Sequence, residues 1–133
     1  ARERVLRPAM ERGIGVLGMF AVRLALSRRE RLVDVMRELL EAGLVDEALL
    51  REFGGSAHDP LGWVVADSDA ASLVDAAYRL VRHEPGLHVT LSGTGGRDHL
   101  LANLESVQRP PLEPSVQEKL ERLFERVDSV TGQ

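Results

Sequence analysis

The chain has no cysteine; among its 133 residues only Lys119 is a lysine, and aromatic residues make up 4%. Without thiols there is no disulfide scaffold, no thiolate metal site and no cysteine nucleophile, a composition compatible with a reducing compartment. The scarcity of rings argues against a platform for stacking nucleic-acid bases. A basic surplus is also missing: 17 Lys+Arg stand against 21 Asp+Glu, a formal charge of −4. Neutralising phosphates requires clustered cations, so nucleic acid is not an expected partner. The longest weakly polar run, residues 14–21, gives way at Val22-Arg23, well short of the ~18 apolar residues of a membrane helix. No membrane partner is expected. The opening Ala1-Arg2-Glu3-Arg4 is charged where an export signal is apolar, which points to a cytoplasmic location.

Hydrophobic residues make up 44% of the chain, enough for one domain core over residues 1–133. Val5, Leu6, Ala9 and Met10 share a helical face, with the helix starting near Arg7, Pro8 in its first turn and Gly13 ending it. The run Ile14-Gly15-Val16-Leu17-Gly18-Met19-Phe20 lacks clean alternation, as do strands covered on both faces. Ser27-Arg28-Arg29-Glu30 reads as a capping box, opening a helix through Leu32, Met36 and Leu39 that ends at Gly43. A shorter helix over 46–53 and a loop over 54–62 follow. Asp69 is expected to cap the next helix, with Leu73, Ala76, Ala77, Leu80 and Val81 as its stripe, stopped at Pro85-Gly86.

Leu87-His88-Val89-Thr90-Leu91 alternates and is rich in strand formers, a second strand. A glycine turn, Ser92-Gly93-Thr94-Gly95-Gly96, leads into a helix from Arg97 to Gln108, with Leu100, Leu101, Leu104 and Val107 expected inward. A last helix over 115–130 carries Val116, Leu120, Leu123, Phe124 and Val127 at helical spacing. Helix, glycine, strand occurs twice, which is the grammar of β/α units with parallel strands. Two parallel strands cannot make a free-standing sheet beneath this many helices, so the pattern reads as part of a larger α/β protein.

The sharpest chemical signal is the glycine turn between the second strand and its helix. Such a turn exposes backbone amides at a helix N-terminus, where an anion such as phosphate is favoured; an ordinary tight turn has equal weight on the residues alone. It is neither a P-loop nor a G-x-G-x-x-G fingerprint. His58, His83, His88 and His99 show no metal-ligand spacing, and no metal is expected. Asp67, Asp69 and Asp75 read as caps and solvated surface, Arg28, Arg29 and Arg31 as a solvated face, and Tyr78 as packing. No catalytic triad follows from spacing.

Together these segments carry a resemblance. Gly13 through Met19, then Ala77-Tyr78-Arg79-Leu80, Val89-Thr90-Leu91-Ser92-Gly93-Thr94, His99-Leu100-Leu101-Ala102-Asn103 and Pro110-Pro111-Leu112 resemble, in order, the C-terminal part of the aldo-keto reductase family. The most specific stretch is the ten-residue interval from Gly93 to Asn103. The resemblance implies an α/β fold that is the C-terminal segment of a TIM (β/α)8 barrel, with two parallel strands, flanking helices and a large helical loop insertion between Leu24 and Ala66. A whole barrel needs about 250 residues. It also implies an enzyme that reduces a carbonyl substrate, an aldehyde or ketone, with NADPH as cofactor.

By that resemblance the cofactor-binding residues are Met19, Phe20, Ala21 and Arg23 after the first strand, and Ser92, Gly93, Thr94, Gly95, Arg97, His99 and Asn103 after the second. Met19 and Phe20 stand where a ring stacks on the nicotinamide, residues 21–23 face the pyrophosphate, and Gly93, Thr94 and Gly95 hold the 2′-phosphate end, with Asn103 at the adenine. Many members carry arginine at the position of Gly96 or His99; here the nearby arginine is Arg97, so NADP and NAD both stay open. The family's catalytic Asp, Tyr, Lys and His fall on earlier strands and have no counterpart here; no catalytic residue is assigned, and neither Tyr78 nor Lys119 replaces one. The implied partner is the missing N-terminal barrel segment, or a second copy through self-association. The reading from another class is a stand-alone, non-catalytic α/β module that binds a phosphate ligand or a protein.

Overall fold

The computed structural model describes residues 2–127. Helix α1 opens with a π-helical turn, Arg2–Leu6, and continues as regular α-helix over Arg7–Glu11. Pro8 lies in the first α-helical turn, where its missing N–H is not needed. Gly13 then reverses the chain at φ 64°, and the Ile14 N–H donates to the Ala9 carbonyl at 2.8 Å, a left-handed cap open to glycine at little steric cost.

Strand β1, Leu17–Gly18, pairs in parallel with β2, Val89–Thr90, Leu17 opposite Val89 and Gly18 opposite Thr90. Both strands lie within the expected 14–20 and 87–91, and their direction is as expected. They are shorter, because among the described residues the parallel pair has no neighbouring strand to hold its ends. The ladder is extended by the Leu91 N–H, which donates to the Gly18 carbonyl at 2.9 Å. The Val16 N–H donates to His88 Nδ1 at 3.1 Å.

Residues 24–66 fold into four helices: α2 (Leu24–Ser27), α3 (Arg29–Glu41), α4 (Glu47–Glu52) and α5 (Gly62–Ala66). This segment holds much of the core. Leu32, Met36 and Leu39 of α3 belong to one buried cluster with Leu50, Phe53, Trp63 and Val64, which α8 (Pro114–Leu123) completes through Val116 and Leu123. Leu120, Phe124 and Val127 pack against the same cluster, so the stripe expected of the last helix is present. The regular helix stops at Leu123, and residues 128–130 of the expected span lie outside those described. Asp46 caps α4, accepting from the Ala48 N–H at 2.8 Å and the Leu49 N–H at 3.2 Å. The capping box expected at Ser27 does not form. Ser27 is instead the last residue of α2, its hydroxyl donates to the Leu24 carbonyl at 3.0 Å, and extended Arg28 starts α3. A short helix just upstream has claimed the serine.

Helix α6, Leu73–Arg82, touches α2, α5, β2 and α7, Arg97–Gln108. Its cap is Ser72, whose hydroxyl accepts from the Asp75 N–H at 3.1 Å, in place of the expected Asp69. Asp69 is occupied elsewhere, in ion pairs with Arg79 at 2.6 Å and Arg109 at 3.1 Å. The hydrogen bond with Arg79 holds the Asp69 carboxyl below the usual carboxylate range. Residues Asp75, Ala76, Ala77, Tyr78 and Arg79 are all buried. Arg79, 1% exposed, donates from Nε to the Pro110 carbonyl at 2.8 Å and from Nη2 to the Pro111 carbonyl at 3.0 Å. Arg109 donates to Asp75 Oδ2 at 2.7 Å. The cluster ties the segment after α7 onto α6, which is how a buried guanidinium is tolerated.

The limits of α7 coincide with those expected, and its orientation does not. Leu100, Leu101 (54% exposed) and Leu104 face outward, Val107 is half-buried, and Asn103 and Ser106 are the buried residues. The periodicity identifies one face; the buried one is polar, with Asn103 donating to Ser92 and Ser106 donating back to the Ala102 carbonyl of its own helix. The described residues form a mainly helical α/β fold with two parallel strands. Among the described residues no helix is long and apolar enough to cross a membrane.

Candidate functional site

Because β1 and β2 are parallel and adjacent, the two segments that leave their C-terminal ends emerge on the same edge of the fold. Residues 19–23 follow β1, and residues 91–96 follow β2. Ligands of parallel α/β sheets bind at this edge, where loops of independent sequence converge.

On the β1 side Met19 and Phe20 are exposed, Phe20 to 57%. Phe20 adopts φ 61°, a left-handed conformation that an aromatic residue rarely takes and that marks functional or strained backbone. The Arg23 guanidinium lies over the Phe20 ring at 4.9 Å, a cation–π contact that keeps the ring's outward pose. Ala21 and Arg23 are half-buried.

On the β2 side Gly93 and Gly95 are open: a Cβ built on either meets nothing within 4 Å. Thr94 Oγ1 accepts from the Gly96 N–H at 3.2 Å, which shapes the turn. Gly96 is the N-cap of α7 and provides no side-chain bond to it, so the first-turn amides keep their donor capacity for an anion. Arg97 and His99 are exposed at the start of α7.

Asn103 is placed differently from the surface residues of this set. It is 8% exposed, and its Nδ2 donates to Ser92 Oγ at 2.9 Å, while the Tyr78 hydroxyl donates to the same oxygen at 3.0 Å. Ser92 thus accepts from α6 and α7 together and fixes the end of β2 between them, with its own O–H left to donate. The role of Tyr78 goes beyond the packing expected of it. Its signal in the sequence is chemical: a tyrosine within an apolar stripe needs a partner for its hydroxyl.

The fold therefore brings Met19, Phe20, Ala21 and Arg23 to the same edge as Ser92, Gly93, Thr94 and Gly95, with Arg97 and His99 on the adjoining turn and Asn103 beneath. A flat apolar group can lie on the exposed Met19 and Phe20 surface, and an anion can meet the α7 amides. Among the described residues no three His, Asp or Glu side chains gather as metal ligands. No family model, curated protein or solved structure matches the chain.

Proposed function

We propose that this chain is the C-terminal portion of an aldo-keto reductase-type (β/α)8 barrel, supplying one wall of a nicotinamide-dinucleotide cleft. The observation that carries the reading is the parallel β1/β2 pair, which sets both resemblance-derived cofactor segments side by side at one edge. A second feature supports it. Leu17, Val89, Leu91, Leu100, Leu101 and Leu104 are all exposed, around a sheet whose outer edges carry no further strand among the described residues. Parallel sheets are covered on both faces, and such apolar surface marks an interface. In this reading the missing cover is the upstream part of the barrel.

NADPH, or NADH, would supply the hydride when bound. The residues of this chain would do the positioning, which is the protein's share of such chemistry. Met19 and Phe20 would bear on the nicotinamide, Arg23 on the pyrophosphate, and the Gly93–Thr94–Gly95 turn with Arg97 and His99 on the far phosphate. Asn103 would reach the adenine side while holding Ser92. Proton donation to the carbonyl oxygen would come from upstream residues. Tyr78 is buried and Lys119 is paired with Asp67 at 2.6 Å, and neither is given that task.

The test is a titration of NADPH and of NADH, followed by nicotinamide fluorescence, on this chain alone and on the chain rejoined to an upstream (β/α)6 segment. The expected result is dissociation weaker than millimolar for the chain alone and tighter binding with carbonyl reduction for the joined protein, lost on Thr94→Ala. Tight binding by the chain alone would favour the stand-alone module. A joined, folded protein that binds neither dinucleotide would overturn the proposal.

A further inference from the structure

Helices α3, α5, α6 and α8 enclose a half-open cleft of about 610 Å³. Its walls are aliphatic, with Leu32 and Met36 from α3, Val64 from α5, Ala76 and Leu80 from α6, and the ring of Phe124. Only four polar residues line it: Arg2, Arg23, Glu84 and Glu121. Arg2 is already engaged by both acids, from Nε to Glu84 Oε1 at 2.5 Å and from Nη1 to Glu121 Oε1 at 2.6 Å. Arg23 has no carboxylate partner among the described residues; its guanidinium lies over the ring of Phe20. The cleft thus combines an aliphatic interior with one guanidinium that no carboxylate pairs among the described residues.

We propose that this cleft binds a single-chain amphipathic carboxylate of the fatty-acid type, with its alkyl tail between α3, α5 and α6 and its head group on Arg23. The volume lies within the ~300–1,000 Å³ of small-molecule sites, and such sites are mostly apolar with few convergent polar groups. Aliphatic walls without a facing surface forgo dispersion contacts that an alkyl chain restores. A guanidinium answers a carboxylate with paired, charge-assisted hydrogen bonds. An alcohol of equal length would gain the same tail contacts without the ion pair, and this difference defines the ligand class. The two readings share Arg23, which the dinucleotide reading sets on the pyrophosphate; the aliphatic walls belong to the cleft alone, so the Met36 methyl reports on the cleft whether or not a dinucleotide binds.

The chain's three methionines supply the readout. Met36 lines the cleft, Met19 stands exposed beyond β1 and Met10 is not part of the lining. Protein labelled with ¹³C at the methionine methyls is titrated with sodium decanoate and with 1-decanol, both below their aggregation thresholds. The expected result is a saturable shift of the Met36 methyl with Met19 unmoved, and tighter binding of decanoate than of decanol. Arg23→Gln should weaken decanoate about tenfold, as for one charge-assisted hydrogen bond, and leave decanol unchanged. Ala76→Phe, which sets a ring between α3 and α6 in the path of the tail, should weaken both. If that variant does not fold, Arg23→Gln at the rim decides alone. Shifts that do not saturate, a response at Met19 in place of Met36, or equal affinity of the two ligands before and after Arg23→Gln would overturn the proposal.

Discussion

Replacing Arg79 by methionine removes a guanidinium that is 1% exposed while keeping most of its volume. Three groups lose a partner: the carbonyls of Pro110 and Pro111, bonded at 2.8 and 3.0 Å, and the Asp75 carboxylate, whose oxygen lies 3.7 Å from Nη1. The contact to Asp69 is set aside, since Asp69 is half exposed and solvent screens it. Hydrogen bonds from a charged donor contribute roughly 1.5–3 kcal/mol each, and breaking a buried pair costs about 3–5 kcal/mol. Asp75 keeps Arg109 at 2.7 Å and the Ala71 N–H at 2.9 Å, which places the expected loss near the lower end, about 3 kcal/mol. That is a large share of the ~5–15 kcal/mol by which domains are stable. The assay is urea unfolding followed by emission of the buried Trp63. With a slope of about 1–3 kcal/mol/M the midpoint should fall by roughly 1–3 M. A loss under about 1 kcal/mol for Arg79→Met would refute the reasoning, since the guanidinium would then contribute no more than a surface ion pair.

Two further outcomes follow from the same structure. Arg79 keeps the Asp69 carboxyl below its ordinary 3.8, so the folded state holds this proton less tightly than the unfolded chain; the stability it gives is present above that value and is lost as pH falls through the lower folded one. The stability difference between the parent and Asp69→Asn, measured by urea midpoints, should therefore shrink below about pH 4. The double change Leu101→Gln and Leu104→Gln, on the outward face of α7, should alter stability by no more than about 0.5 kcal/mol per site and reduce self-association in light scattering; a loss of several kcal/mol would mean that this face is packed.

Helix ends were the most legible part of the fold, because their signals are local. Gly13, Gly43, Gly54 and Gly86 all take positive φ, and the limits of α7 follow from the glycine turn before it and Pro110 after it. The direction of the two strands was legible from the order of β/α units. What escaped depends on competition between neighbours. Ser27 has two helices within reach and serves the nearer one; Asp69 could cap a helix, yet two arginines drawn from 10 and 40 positions away hold it instead. The facing of α7 was invisible for a related reason: spacing shows which side chains share a face, while the partner of that face is set by the rest of the protein. Among candidate site residues, the exposed ones on the two strand ends were placed together by topology alone. Asn103 required knowledge of Ser92 and Tyr78, and Arg79 was missed although Asp75 at four residues' distance is a readable ion-pair spacing.

The five adjacent buried positions of α6 carry a consequence for sequence variation. A helix with one dry side tolerates change in a wave, permissive every third or fourth residue, as α3 should along Arg37 and Glu38 between Met36 and Leu39. From Asp75 to Arg79 every direction around the axis is already occupied, by neighbouring helices, by β2 and by the proline carbonyls. A saturation library selected for folding should therefore show an unbroken barrier at 75–79 with no helical rhythm in it. This one and a half turns of helix, polar at both ends and apolar between, would be the slowest part of the chain to drift.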